Sequence, residues 1–270
     1  MKFSVLVSIY KKENPLFFDL SLESILVNQS LLPDQVVIVK DGIITQELEF
    51  VLNKYIKSFP KIITICGYDD NKGLGFALNF GLSQCSNEFI FRMDTDDICH
   101  FNRFEKQLPI IKKNGISIVG SNIEEFNNEI GDLRNFRKLP SENNDINKFK
   151  FSRNPFNHMT VVFKKSIIQS VGGYLEMPGY EDYYLWFRLL KQHKGENINE
   201  NLVYARVGND MIARRQGFMF FINEFNFQRT IMINKFISKK QFIKNIFLRG
   251  IPRLLPKPIL TIFYNLFLRY

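Results

Sequence analysis

The strongest constraint on this chain is an alternation in its first half. Short apolar runs are separated by segments of helical periodicity. "FSVLVSI" (3–9) is continuous and β-branched, as in a strand buried on both faces. Leu16 to Asn28 follow with helical character, and "QVVIVKD" (35–41) is a second strand. Leu48, Val51, Leu52, Tyr55 and Ile56 then fall at helical spacing within Glu47 to Ser58. "KIITIC" (61–66), a helix over "GLGFALNFGLSQC", and "EFIFRMD" (88–94) continue the series. Phe101, Phe104, Leu108 and Ile111 predict a further helix kinked at Pro109, and "ISIVGSN" (116–122) predicts a fifth strand. Strands alternating with helices give an α/β fold, with a mainly parallel sheet flanked by helices.

Ligands of such sheets bind beyond the carboxyl ends of the strands. Strand one ends at Ser8-Ile9-Tyr10, strand two at Lys40-Asp41-Gly42, and strand four at Asp94-Thr95-Asp96-Asp97. These segments should converge on one rim. From Leu133 to Asn157 the chain turns polar and less periodic, as in a loop region over a site. Strand-like "HMTVVFKK" then leads through "VGGY" to Pro178-Gly179, the start of a helix with Glu181 and Asp182 near its N-terminus. The helix dipole favours carboxylates there.

Charge is distributed unevenly. The net charge is +9, yet the first 200 residues hold 24 Lys and Arg against 25 acids, and residues 201–270 hold 12 against 2. The basic excess therefore lies in the tail, where Phe is interleaved with Lys and Arg. That pattern fits an amphipathic basic surface against an anionic membrane, or helical packing with a solvated basic face. No recognised RNA- or DNA-binding module is present, so nucleic acid is not expected as a partner. The three cysteines have no metal or disulfide spacing, which suggests a reducing compartment. The N-terminal apolar run reads as a buried strand and not a targeting peptide. Ile259 to Leu268 falls short of the ~18 residues that span a bilayer.

"FIFRMDTDDICH" (89–100) ends an apolar run in three carboxylates. A D-x-D at a strand end suits Mg²⁺ or Mn²⁺, which take oxygen ligands and leave positions open for phosphate. An EF-hand fails, because its fifth and sixth loop positions would be Ile98 and Cys99. An aspartyl-phosphate enzyme of the haloacid dehalogenase type fits poorly, since that motif follows the first strand. A metal held against a nucleotide diphosphate remains. A helix cap could explain Asp97 alone.

"SVLVSIYKKENP", "SLESILVNQSLLPDQVVIVKDG", "NKGLGFALNFGL", "FIFRMDTDDI", "RFEKQL", "NPFNHMTVVFKKS" and "GYEDYYLWFRLL" appear in an order that resembles a family 2 glycosyltransferase of the GT-A fold. "YARVGNDMIARRQG" is similar to the amylovoran-type exopolysaccharide branch. The resemblance implies a GT-A catalytic domain over 1–210 and a helical basic, aromatic extension over 211–270. It implies an inverting, metal-dependent transferase in surface polysaccharide synthesis. The donor would be a nucleotide-sugar, a UDP-sugar before others, and the acceptor a glycan or polyprenyl-linked glycan. Asp41 matches the acid that contacts the base, and Asp94 and Asp96 match the Mn²⁺ or Mg²⁺ ligands. Ser8, Tyr10, Lys72, Gly73, Asn79, Arg92, Thr95 and Arg214 complete the donor-contacting set. Asp182 is the implied catalytic base, with Glu181 orienting the acceptor. His158 is a third metal candidate or a satisfied structural histidine, and Trp186 a sugar-stacking face or core. The motif of processive synthases is absent, which implies single addition. The resemblance also implies a cytoplasmic enzyme peripheral to the inner face of the membrane. The alternatives are a nucleotidyl- or phosphotransferase on the same metal site and a non-catalytic GT-A-like binding protein.

Overall fold

A computed structural model describes residues 2–207 and 217–255. The order is β1 (Phe3–Ile9), α1 (Pro15–Leu26), β2 (Gln35–Asp41), α2 (Gln46–Ser58), β3 (Ile63–Tyr68), α3 (Leu74–Gln84) and β4 (Phe89–Arg92). β1 pairs in parallel with β2 on one side and β4 on the other, and β2 pairs in parallel with β3. Successive strand side chains point to opposite faces. Val5, Val7 and Ile9 therefore pack with Phe18 and Leu22 of α1 and Leu48 and Leu52 of α2. Leu6, Val37 and Val39 pack on the other face with Ala77 and Leu78 of α3. Local signals start the helices. The Asn14 side-chain oxygen accepts from the Leu16 amide at 2.9 Å ahead of α1, and Thr45 caps α2.

Beyond β4 the sheet becomes mixed. β8 (Val162–Lys164) lies between β4 and β6 (Ile116–Phe126), antiparallel to both. β9 (Lys194–Arg206) runs parallel to β6, while β5 (Ile98–Cys99) and β7 (Asn135–Arg137) add antiparallel edges. The parallel arrangement read from the alternation thus covers the first four strands. Helix α4 (Arg103–Ile111) runs through Pro109, and α5 (Asn143–Phe149) occupies part of the stretch read as loop. α6 (Lys165–Ser170) precedes α7 (Glu181–Leu189).

Two helices, α8 (Phe218–Ile233) and α9 (Lys239–Asn245), fold back over α7, followed by a π turn at Ile246–Gly250 and a 3₁₀ turn at Ile251–Leu254. Phe227, Ile231 and Ile237 form a separate apolar cluster with Tyr180, Tyr183, Tyr184 and Phe187. The tail phenylalanines therefore divide: Phe227 is core, while Phe218, Phe225 and Phe247 are exposed. Among the described residues no helix is long and apolar enough to cross a membrane. The boundary expected at 210/211 falls outside the described residues, as do Arg214 and residues 259–268.

Candidate active site

The rim expected from the strand ends forms around the carboxylates that follow β4. Asp94, Asp96 and Asp97 each offer a carboxylate oxygen, and these atoms lie within 4.8 Å of one another. Asp97 is buried, accepts from the Arg206 amide at 2.8 Å through Oδ1, and has its Oδ2 buried without a hydrogen-bond partner. Burial, reinforced by Asp94, pushes the Asp96 carboxyl up to about 6. Burial and both neighbouring acids push Asp97 well above the usual carboxylate range. Three hard oxygen donors, one of them an orphaned buried atom, fit a divalent cation such as Mg²⁺ or Mn²⁺. Asp97 belongs to this cluster by position, beyond the D-x-D pair that the sequence pointed to.

Cations stand behind the acids. Arg92 is buried on β4 and its guanidinium pairs with Asp94. Arg206, ending β9, donates Nε–H to the Asp96 carbonyl at 3.1 Å and stacks over Phe17 at 3.9 Å and Phe126 at 4.4 Å. Glu13 enters from the loop before α1. Burial pushes its carboxyl up to about 7; the Thr95 hydroxyl lowers it in part, and Asp96 and Asp94 raise it further. Neither Glu13 nor Arg206 has a sequence signal of its own. Glu13 follows two lysines in a turn, and Arg206 ends a polar strand.

Asp41 closes β2 and organises the next loop. Its Oδ1 accepts from the Lys72 amide at 2.7 Å, and its Oδ2 from Asn71 Nδ2 at 2.9 Å and the Gly73 amide at 3.1 Å. Two loop amides thus bond this acid. Gly42 has φ +87°, and a Cβ there would lie 2.9 Å from the Asn71 amide nitrogen, so this turn requires glycine. The Lys72 ammonium lies over Phe76 at 4.8 Å and Tyr68 at 5.1 Å. Ser8 is half-buried and Tyr10 is exposed at the end of β1.

The second acid pair is carried by α7. A Cβ at Gly75 would lie 3.2 Å from Glu181 Cγ, so the start of α3 abuts this pair. Asn154 Nδ2 donates to Asp182 Oδ2 at 2.6 Å. Burial raises the Asp182 carboxyl, partly opposed by Asn154 and by the Arg92 charge. Burial likewise raises Glu181. Arg92 therefore bears electrostatically on both Asp94 and Asp182.

The remaining candidates make structural bonds. Asn79 holds Tyr174 through two hydrogen bonds, Nδ2 to its carbonyl at 2.6 Å and its amide to Oδ1 at 2.8 Å. His158 Nε2 lies 3.0 Å from the Tyr174 hydroxyl, with its ring 6.2 Å from that of Trp186. Burial, helped by Arg92, holds this imidazole neutral, well below its usual range. Among the described residues the cation-type cluster comprises the three aspartates without His158. Trp186 is fully buried and is core.

The glycosyl transferase family 2 model matches residues 4–171. A glycosyltransferase of Haemophilus influenzae is 42% identical over the full length of both chains. UDP-Gal:alpha-D-GlcNAc-diphosphoundecaprenol beta-1,3-galactosyltransferase of Escherichia coli is 42% identical over 94% of this chain and 92% of its own. The amylovoran biosynthesis glycosyltransferase AmsE of Erwinia amylovora is 36% identical over 97% of this chain and 98% of its own. Among solved structures, S. aureus TarS with UDP-GlcNAc superposes with a TM-score of 0.66 at 18% identity, covering 94% of this chain and 72% of that one. The mannosyltransferase PcManGT of Pyrobaculum calidifontis, with GDP-Man and Mn²⁺, gives 0.68 at 14% identity, covering 98% and 74%. These likenesses establish a GT-A-like fold, and the family match over most of the chain is unambiguous: this protein belongs to the glycosyl transferase family 2 and is a glycosyltransferase.

Proposed function

We propose that the chain transfers a sugar, with inversion, from a UDP-sugar to a lipid-linked glycan acceptor in surface polysaccharide synthesis. The observation that carries this reading is the close approach of the two acid groups through α3: the Lys72 and Gly73 amides ahead of it bond Asp41 at 2.7 and 3.1 Å, and two residues on, a Cβ at Gly75 would lie 3.2 Å from Glu181 Cγ. A donor site and an acceptor site need that proximity, because the reacting atoms must meet. The E. coli relative, a galactosyltransferase named for a UDP-Gal donor, a diphosphoundecaprenol-linked acceptor and a β linkage, supports the same substrate classes.

The chemistry follows from the residues. Asp182 accepts the proton of the attacking acceptor hydroxyl, whose oxygen forms the new bond to the anomeric carbon. The bond from that carbon to the diphosphate breaks on the opposite side, and its electron pair leaves with the nucleotide. Asn154 orients the Asp182 carboxylate, and Glu181 receives the acceptor beside it. Asp94 and Asp96, with Asp97 behind them, would hold Mn²⁺ or Mg²⁺. When bound, the ion neutralises charge on the departing diphosphate. Asp41 and its 71–73 loop form the base end of the donor site.

A lipid-linked acceptor calls for membrane contact. The exposed Phe218, Met219, Phe247, Leu248, Ile251 and Leu254 lie in a segment that also exposes Lys239, Lys240 and Lys244, supporting peripheral association with an anionic surface. The donor reading is tested by calorimetric titration of UDP with and without Mn²⁺ into the wild type and Asp96→Asn. Metal-dependent affinity is expected in the wild type and should be lost in the variant. Equal affinity in all four titrations would refute it.

A further inference from the structure

The C-terminal helices bury a polar network against α7. Glu224 of α8 is fully buried. Its Oε2 accepts from the Tyr180 hydroxyl at 2.7 Å and Arg253 Nη2 at 2.9 Å; its Oε1 accepts from Gln228 Nε2 at 2.9 Å and lies 3.1 Å from Arg249 Nε. Burial works against the charge of Glu224, but Arg249 and Arg253 hold its carboxyl below the usual range. The Tyr180 ring also stacks on Phe227, with centroids 4.7 Å apart and an interplanar angle of 9°. Tyr180 stands two residues before Asp182 and immediately before α7.

The same segment grips a second piece of chain. Arg249 Nη1 donates to the Ser152 carbonyl at 2.8 Å, and Asn245 Nδ2 and Gln241 Nε2 donate to the Phe151 carbonyl at 2.9 and 3.2 Å. Arg249 Nη1 also approaches the Tyr183 hydroxyl at 3.3 Å, and that hydroxyl donates to the Lys150 carbonyl at 2.7 Å. This loop carries Asn154, whose amide bonds Asp182. Both sides of the Asn154–Asp182 hydrogen bond are therefore anchored to the tail: the start of α7 through Tyr180, and the 151–154 loop through Arg249 and Asn245.

We propose that the C-terminal segment is a positioning element for the acceptor-side base, with Glu224, Arg249 and Tyr180 fixing the Asn154–Asp182 pair. The inference rests on Asp182 being that base. Their side-chain bonds run to one another, to their neighbours in the tail and α7 and to the Ser152 carbonyl, and not to the aspartate cluster; they act by holding the backbone on either side of the carboxylate. A small displacement of a reacting group lowers the rate of the chemical step without a matching change in ground-state binding. The donor side is held separately, by the Asp41 loop and the rim around β4.

The test compares Tyr180→Phe, Glu224→Gln and Asp182→Asn in the full chain. Tyr180→Phe keeps the ring on Phe227 and removes the hydroxyl, so it carries the test should Glu224→Gln fail to fold. The readouts are kcat, acceptor KM, the acid limb of the kcat–pH profile, and calorimetric UDP–Mn²⁺ affinity and stoichiometry. Tyr180→Phe should lower kcat roughly tenfold and displace the acid limb, with KM and UDP–Mn²⁺ affinity within about twofold of wild type. Wild-type kcat and acid limb in Tyr180→Phe, with Asp182→Asn inactive, would overturn the positioning role alone. A kcat loss matched by lost UDP stoichiometry, with the acid limb unmoved, would also overturn it, as that is loss of folded enzyme. Wild-type transfer by Asp182→Asn would instead overturn the base assignment.

Discussion

A carboxyl group half-buried beside other carboxylates keeps its proton to higher pH, and Glu13 does so against Thr95, Asp96 and Asp94. Its folded value of about 7 lies above the unfolded value of 4.5, so the folded state binds the proton more tightly. The stability Glu13 contributes is therefore fully present below pH 4.5 and is lost as pH rises through about 7. Glu13→Gln should flatten the fall in Tm across that window in thermal unfolding without divalent cations. An identical slope in the two proteins would count against the environment described for Glu13. For Asp182 the consequence concerns rate. As the proposed base it acts only when ionised, and burial raises its carboxyl, so kcat should fall on acidification at a higher pH than an exposed aspartate would give. A pH series of initial rates at saturating substrate checks this. Asp94 and Asp96 could be singled out from sequence as a candidate cation pair because of their D-x-D spacing at a strand end, whereas Asp97 joins them only through its position in the fold. Glu13 could not, since its role comes from a turn that folds it back over Thr95 across 82 positions of chain.

Helix α3 is seated closely on the sheet. A Cβ at Gly81 would lie 2.4 Å from Leu6 Cδ1 and 2.5 Å from Val39 Cγ2, both in the strand layer. Gly81→Val should therefore overpack the α3–β1–β2 contact and cost about 1–3 kcal/mol in denaturant unfolding. An unchanged midpoint would mean that α3 can lift without penalty. The β1–α3 unit was legible because its strands are continuous apolar runs and α1 and α2 have side-chain caps; β1 and β2 begin and end where the sequence placed them. β3 starts two residues later than "KIITIC" suggested, because Ile62 still belongs to the turn, its amide bonded to the Phe59 carbonyl at 3.1 Å. β9 had no legible signature. "KGENINENLVYAR" alternates weakly, and its ladder with β6 shifts register at three places, so pairing with β6 and not local pattern makes it a strand. The β9 end matters to the site, since it delivers Arg206 to the aspartates.

At the scale of the molecule, the rim and the tail divide the work. In the proposed assignment the rim at the ends of β1, β2 and β4 takes the donor and the α7 acids face the acceptor, while α8 and α9 pack against α7. The outer face of the tail keeps Phe247 and Leu248 in solvent beside exposed lysines. Binding to anionic vesicles should therefore be strong at low salt and weaken with added salt, because exposed charges are screened beyond a Debye length of about 8 Å at 0.15 M. Phe247→Ser with Leu248→Ser should reduce cosedimentation without lowering UDP–Mn²⁺ affinity; unchanged cosedimentation would exclude this face. The assignment of donor and acceptor halves stands most directly on Asp182. Transfer by Asp182→Asn, measured alongside its UDP–Mn²⁺ affinity, should fall by three or more orders of magnitude, roughly the share of the rate that a positioned base supplies, while that affinity stays at the wild-type value. Transfer at the wild-type rate, or loss of nucleotide binding together with transfer, would contradict the division of the site into a metal–donor half around Asp94 and Asp96 and a base at Asp182.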